Sequence, residues 1–293
     1  MAKKEIQIGK NILSQSSKTY LIAEIGINHN GDFRIVKRLA DAAFATGWNS
    51  IKMQKRNPDI AIPECQKNLL KDTPWGKITY LDYKKKIELS QVDYDSLNTY
   101  CLAKPIDWSS SVWDIPSLKF LLKYDVPYIK IPSALNQDRE LILEAVKSSK
   151  PIILSTGMST LAEIDTTVEY LESINATYIL LHTTSSYPAS YCELNLSLIK
   201  ILSERYNCLV GYSGHEYDLE PSVIAVALGA VIVERHVTLS HEMWGTDQAA
   251  SLEVHAMDLL AKRINGVPTM LGDGIKRMSI AEEQIRKKQR REL

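Results

Sequence analysis

No stretch of this sequence stays apolar for the roughly 18 residues a membrane-spanning helix needs, and neither sign of charge dominates. Lys plus Arg number 35 and so do Asp plus Glu. The first absence excludes a helical membrane span. The second removes the electrostatic case for nucleic acid or an anionic membrane as partner, so any affinity for phosphate must be local. Cysteine is scarce, and Cys65, Cys101, Cys192 and Cys208 form no CxxC pair, which disfavours a zinc ribbon or a dithiol redox centre; the expectation is reduced thiols in or near the core. The opening MAKKEIQIGK lacks the apolar core and small-residue cleavage site of a secretory signal, so the expected location is cytoplasmic. A GxGxxG turn is missing too: the first strong β-pattern runs into GINHNGD.

What is present is an ordinary globular composition, 45% hydrophobic and 24% charged over 293 residues, enough for a full core. Eight β-rich runs recur at residues 19–28, 49–55, 106–112, 127–134, 151–157, 178–184, 208–214 and 231–238. Most are separated by segments of helical periodicity, such as DFRIVKRLADAAFATG, which carries Ile35, Leu39, Ala42 and Ala43 on one face and stops at Gly47. Eight β/α units in one chain predict a (β/α)8 TIM barrel over 19–275; an open doubly wound sheet is disfavoured by the missing glycine-rich turn. Residues 1–18 read as a short hairpin under the barrel, 56–90 as an insertion long enough to be a lid, and 276–293 as a charged tail.

In such a barrel the reacting groups lie at the C-terminal ends of the strands, and the polar residues of this chain gather there. In strand order these are Glu24, Asn28 and His29; Lys52 and Gln54; Ser109 to Ser111; Lys130 and Ser133; Ser155; His182 to Ser185 with Tyr187; Ser213, His215 and Glu216; Glu234 and His236; and Asp247 in the loop beyond. Such groups buried without partners would each cost about 1–3 kcal/mol or more, so their clustering argues for function. Lys52 and Lys130 with the small hydroxyls form a receptor for phosphate and carboxylate. His215 and His236, on adjacent strands, are candidate metal ligands. Glu24, Glu234 and Asp247 are placed to orient water, balance charge or hold sugar hydroxyls. His182 reads as an inward-facing structural residue beneath the mouth, and His241 and His255 as surface residues.

The motifs IAEIGINHNGD, IKMQ, YIKIPSA, LSTGMST, LHTTSSYPA, GYSGHE and ERHVT, in this order, resemble those of the sialic acid synthase family over about residues 5–275. The resemblance implies a transferase that condenses phosphoenolpyruvate (PEP) with an N-acylated mannosamine-type aldose, giving a nonulosonic acid and phosphate, with a divalent metal, usually manganese and alternatively magnesium or cobalt. It assigns His215 and His236 to the metal. Lys52, Ser111, Lys130, Ser133, Ser155 and Ser213 fall at PEP positions, Gln54, Tyr187 and Asp247 on the sugar side, and Glu24 and Glu234 near the reacting carbons. Ser185 stands in the substrate loop where asparagine is common in the family. Catalytic roles are thus expected of Glu24, Glu234, His236 and Asp247. Family members commonly carry a C-terminal antifreeze-like domain, which the sequence ending at Leu293 does not include, and a homodimer is a further expectation. The alternatives are a synthase for another nonulosonic acid or surface-polysaccharide precursor, and a non-catalytic sugar-phosphate-binding barrel that needs a partner.

Overall fold

A computed structural model describes residues 5–291; residues 1–4 and 292–293, the extremities of the expected hairpin and tail, lie outside the described residues. The chain opens with the antiparallel hairpin β1 (Ile6–Ile8) and β2 (Asn11–Leu13), then enters β3 (Tyr20–Gly26) and β4 (Ser50–Lys55). The insertion holds a second antiparallel hairpin, β5 (Leu70–Thr73) and β6 (Gly76–Thr79), followed by the helix Tyr80–Ile87. The remaining strands are β7 (Asp107–Val112), β8 (Ile129–Ile131), β9 (Ile152–Ser155), β10 (Tyr178–Thr183), β11 (Val210–Gly214) and β12 (Ile232–His236). Strands β3, β4 and β7 to β12 pair in parallel and close into an eight-stranded barrel, β12 against β3. The (β/α)8 expectation is met.

Side-chain parity explains how the barrel positions a site. Alternate residues of a strand face opposite sides. One set, including Leu21, Ala23, Ile51, Met53, Leu180, Val210 and Val233, packs outward against the helices. The other fills the barrel interior: Tyr20, Ile22, Tyr128, Ile153, Ile179, Leu181, Leu209 and Ile232, closed from below by Ile6, Ile8 and Leu13 of the hairpin. Two residues further along the same inward rows, the apolar layer gives way to polar groups. Ile22 is followed by Glu24, Tyr128 by Lys130, Ile153 by Ser155, Leu181 by Thr183 and Ile232 by Glu234.

The same parity corrects one expectation. His182 shares the row of Leu180 and faces the helix layer, not the interior; its Nε2 lies 2.7 Å from the Leu194 carbonyl. The cysteines divide: Cys101 and Cys208 are buried, whereas Cys65 and Cys192 are exposed rather than near-core. The last barrel helix, Val254–Leu271, runs on past Gly266 and Pro268 despite the irregularity expected there. Beyond it the helix Ile280–Gln289, capped by Ser279 and Glu282, is exposed along its length. His241 and His255 are exposed, as expected. Among the described residues no helix is long and apolar enough to cross a membrane.

Between inward Glu234 and His236, Arg235 points outward and is fully buried, its Nη1 2.9 Å from Glu216 Oε1. The guanidinium also donates to the Asp218 carbonyl and Ser222 Oγ, and Tyr212 donates to Glu216 Oε2 at 2.8 Å. This pair welds the end of β12 to the turn that carries His215. Removing the carboxylate leaves the Arg235 charge buried without a counter-charge, so Glu216→Ala should lower unfolding stability by about 3 kcal/mol or more. Urea unfolding measures it, and a loss below about 1 kcal/mol would contradict the structural role.

Candidate active site

The polar layer surrounds a cavity of about 240 Å³ at the C-terminal mouth. Its walls include Glu24, Lys52, Gln54, Ser111, Lys130, Ser133, Ser155, Ser185, Tyr187, His215, Glu234 and His236. Of the residues singled out from sequence, Ser213 and Asp247 stand just behind this wall. Ser213 donates to Glu234 Oε1 at 3.4 Å, and Asp247 Oδ2 lies 3.7 Å from His236 Nδ1. Asn28 and His29 do not reach the cavity: Asn28 Nδ2 holds the Val237 carbonyl and Ser251, and His29 accepts from the Gly31 amide. Burial keeps His29 neutral, its pKa down to about 4.

Lys52 is the hub. Its ammonium lies 2.8 Å from Glu24 Oε2 and 3.3 Å from Glu234 Oε1, and it donates to Ser111 Oγ at 2.6 Å. All three charged groups are buried. Lys130 donates to Ser155 at 2.6 Å and stands 3.9 Å from Glu234. Burial would discharge every one of these groups, and the neighbours decide which resist. Lys52 is held above its ordinary value because Glu234 and Glu24 outweigh burial. For Lys130 burial prevails, bringing it down to about 8. Burial also prevails over Lys52 and His236 at Glu24, which is raised, whereas at Glu234 Lys130 and Lys52 overcome burial and lower it. Two carboxylates with opposed tendencies side by side are a familiar division into a proton carrier and a fixed charge.

Opposite the lysines stand the two histidines, ring centroids 5.5 Å apart. His215 Nδ1 lies 2.6 Å from the Thr184 carbonyl, and burial followed by the charge of His236 holds its pKa near 3. With Nδ1 donating, Nε2 is left with a lone pair, as a metal ligand requires. Tyr187 uses that lone pair here, its hydroxyl 2.9 Å away and its ring stacked on the imidazole at 4.0 Å. His236 Nδ1 is buried without a hydrogen-bond partner. A neutral imidazole and an unpartnered ring nitrogen suit a divalent ion. No group of three or more metal-ligating side chains exists among the described residues, so such an ion would keep open positions for substrate and water.

Backbone detail fixes the walls. Gly26 has φ +56°, and a Cβ there would stand 3.2–3.3 Å from Glu24, Gln54 and His236. At Gly157 a Cβ would lie 2.3 Å from Ser185 Oγ and 2.8 Å from Ser133 Oγ, so only glycine lets those hydroxyls converge. The sequence reading missed Trp113, Pro132, Ala134 and Met158, which also line the cavity. It missed Arg56 too, buried over the Trp113 ring at 4.6 Å and bonded to Gln54. Trp113 and Arg56 each directly follow the last residue of a barrel strand, a position that could have flagged them.

The chain matches the NeuB family model over residues 39–276. It belongs to the NeuB family. Among its relatives, the N,N'-diacetyllegionaminic acid synthase of Legionella pneumophila is 32% identical over 95% of this chain and 80% of its own length. The N-acetylneuraminate-9-phosphate synthase of Drosophila melanogaster is 34% identical over 90% and 73%. The N-acetylneuraminic acid synthetase of Leptospira borgpetersenii, solved with citrate, superimposes with a TM-score of 0.85 at 29% identity, covering 100% of this chain and 99% of that one. This NeuB-family chain is an enzyme of the synthase type.

Lys52→Met should destabilise the protein more at pH 8 than at pH 5. Without the ammonium, Glu24, which burial raises even beside Lys52, would titrate in the folded state still further above its unfolded value near 4.5. Stability is then lost as pH rises past that value. Urea unfolding of both proteins at the two pH values measures this; a penalty independent of pH would contradict the buried network.

Proposed function

We propose that this protein condenses phosphoenolpyruvate with an N-acylated mannosamine-type aldose to give a nonulosonic acid and inorganic phosphate. The observation that carries the reading is the juxtaposition, in one cavity, of two buried lysines, two buried glutamates and a pair of histidines of which His215 is held neutral. The names of the relatives, which make legionaminic and sialic acids, support it.

Lys52 and Lys130, with Ser111, Ser133 and Ser155, would bind the phosphate and carboxylate of PEP. A divalent metal, manganese by family resemblance, held by His215 and His236, would polarise the aldehyde oxygen. Carbon 3 of PEP attacks the aldehyde carbon, water adds to the cationic carbon 2, and phosphate departs with cleavage of the C–O bond. Glu24, the carboxyl held toward protonation, is suited to move a proton at the aldehyde oxygen or the water. Glu234, fixed as a carboxylate between two ammonium groups, is suited to orient the water and offset the developing positive charge. Gln54 and Tyr187 remain to position sugar hydroxyls, with Ser185 on the substrate side, Ser213 steadying Glu234 and Asp247, expected on the sugar side, instead beside His236.

Incubated with PEP and manganese across a panel of N-acylated mannosamines, the enzyme should release phosphate only when a sugar is present, and a chelator should abolish release. Release without sugar, or undiminished by the chelator, would contradict the proposal. A second expectation follows from Lys130. It must be protonated to hold an anion, and burial brings it down to about 8, so kcat/KM for PEP should fall above pH about 8. A profile flat to pH 9.5 would remove Lys130 from the anion site.

A further inference from the structure

Arg56 is the first residue after β4 and stands behind the cavity wall, yet two of the side chains it touches, Gln54 and Trp113, line that cavity. It is buried. Its guanidinium lies over the Trp113 ring at 4.6 Å, Nε stands 3.4 Å from Glu88 Oε1, and Nη2 donates to Gln54 Oε1. Glu88 directly follows the helix Tyr80–Ile87 of the insertion and is held from its other oxygen by Lys55 at 3.1 Å. Balancing Glu88 alone would not require a donor aimed at an uncharged amide on the cavity wall. Arg56 supplies one.

A glutamine amide has an acceptor end and a donor end, whereas a guanidinium has only donors. Arg56 therefore sets the amide with Oε1 toward itself and Nε2 toward the barrel interior. There Nε2 donates to Glu24 Oε1 at 3.1 Å, while Glu24 Oε2 lies 2.8 Å from the Lys52 ammonium. Both oxygens of that carboxyl are thus addressed, one by a charge and one by an oriented amide. Held from one side only, the amide would be free to rotate about its last side-chain bond. Held at both ends, it fixes the plane of the Glu24 carboxyl and keeps its second N–H as a donor for a substrate oxygen. A stacked guanidinium suits this task, because its planar fork is pre-organised and its charge strengthens the bond it donates.

We propose that Arg56 is a positioning residue: it orients the Gln54 amide and, through it, the Glu24 carboxyl, without touching substrate. The effect on turnover rests on the condensation proposed above; the coupling between Arg56 and Gln54 does not.

The test is a double-mutant cycle on the manganese-loaded full chain, with Arg56→Met, Gln54→Ala and the two combined. Phosphate release from PEP with N-acetylmannosamine is measured for each, and urea unfolding is recorded alongside. Arg56→Met should lower kcat/KM for the sugar about tenfold, the scale expected of a misplaced group, and leave KM for PEP within about twofold. In the Gln54→Ala background the same substitution should cost less than about twofold, because the residue through which it acts is gone. Arg56→Lys keeps a charge beside Glu88 without the stacked fork, and gives the second reading should Arg56→Met fold poorly; its loss should likewise vanish with Gln54. An equal loss in both backgrounds, a KM for PEP that rises as far as kcat/KM for the sugar falls, or no loss at all would overturn the proposal. The shift in urea midpoint caused by Arg56→Met should also be smaller once Gln54 is absent, and equal shifts would overturn the contact itself. Coupled unfolding in a wild-type protein that releases no phosphate would uphold the hold of Arg56 on Gln54 and contradict the condensation instead.

Discussion

Lys52 holds Glu24 and Glu234 together in the barrel interior, with an ammonium 2.8 Å from one carboxylate and 3.3 Å from the other. Desolvating three charges is costly, and a buried ion pair is seldom the most stable filling for a core. The barrel accommodates them because the layer beneath is mostly apolar, its few polar groups such as Ser50 and the Tyr128 hydroxyl paired with each other, and is sealed by the N-terminal hairpin, so stability is supplied below and chemistry above. The polar side chains around the lysine are arranged about that network. Ser111 accepts a hydrogen bond from Lys52, Gln54 donates to Glu24 at 3.1 Å, and Ser213 donates to Glu234.

The histidine side has its own support, built on the outward face of the same strands. Arg235 and Glu216 form a closed pair in the helix layer, and the inward neighbours of Arg235 are Glu234 and His236. The motif GYSGHE therefore combines two tasks: Ser213 and His215 serve the interior, while Glu216 anchors the turn from outside. ERHV does the same, with Arg235 as the anchor. Neither motif would survive as a site without its outward partner.

Much of this was legible from the sequence because strand ends are marked twice, by the stop of β-pattern and by the polar residue that follows. Glu24, Lys52, Lys130, Ser155, Glu234 and His236 could be placed at one mouth on that ground alone. Parity was harder to read. In a strand buried on both faces the pattern is apolar throughout, so LLHT does not reveal that Leu181 and Thr183 face inward and His182 outward. Asn28 and His29 also look like mouth residues, yet they tie down loops, since a chain leaving a barrel strand needs its own polar groups satisfied. The packing of the insertion was illegible for another reason: Trp75 and Tyr83 meet Trp244 through contacts more than 150 residues apart in sequence.

The central claim is that one cavity brings an anion held by lysines next to a metal held by histidines. A crystal of the protein grown with manganese and PEP, measured for anomalous scattering, addresses it directly. The account predicts a manganese peak within bonding distance of His215 and His236, with the PEP phosphate and carboxylate contacting Lys52 and Lys130. Manganese bound elsewhere, or PEP density away from both lysines, would contradict it.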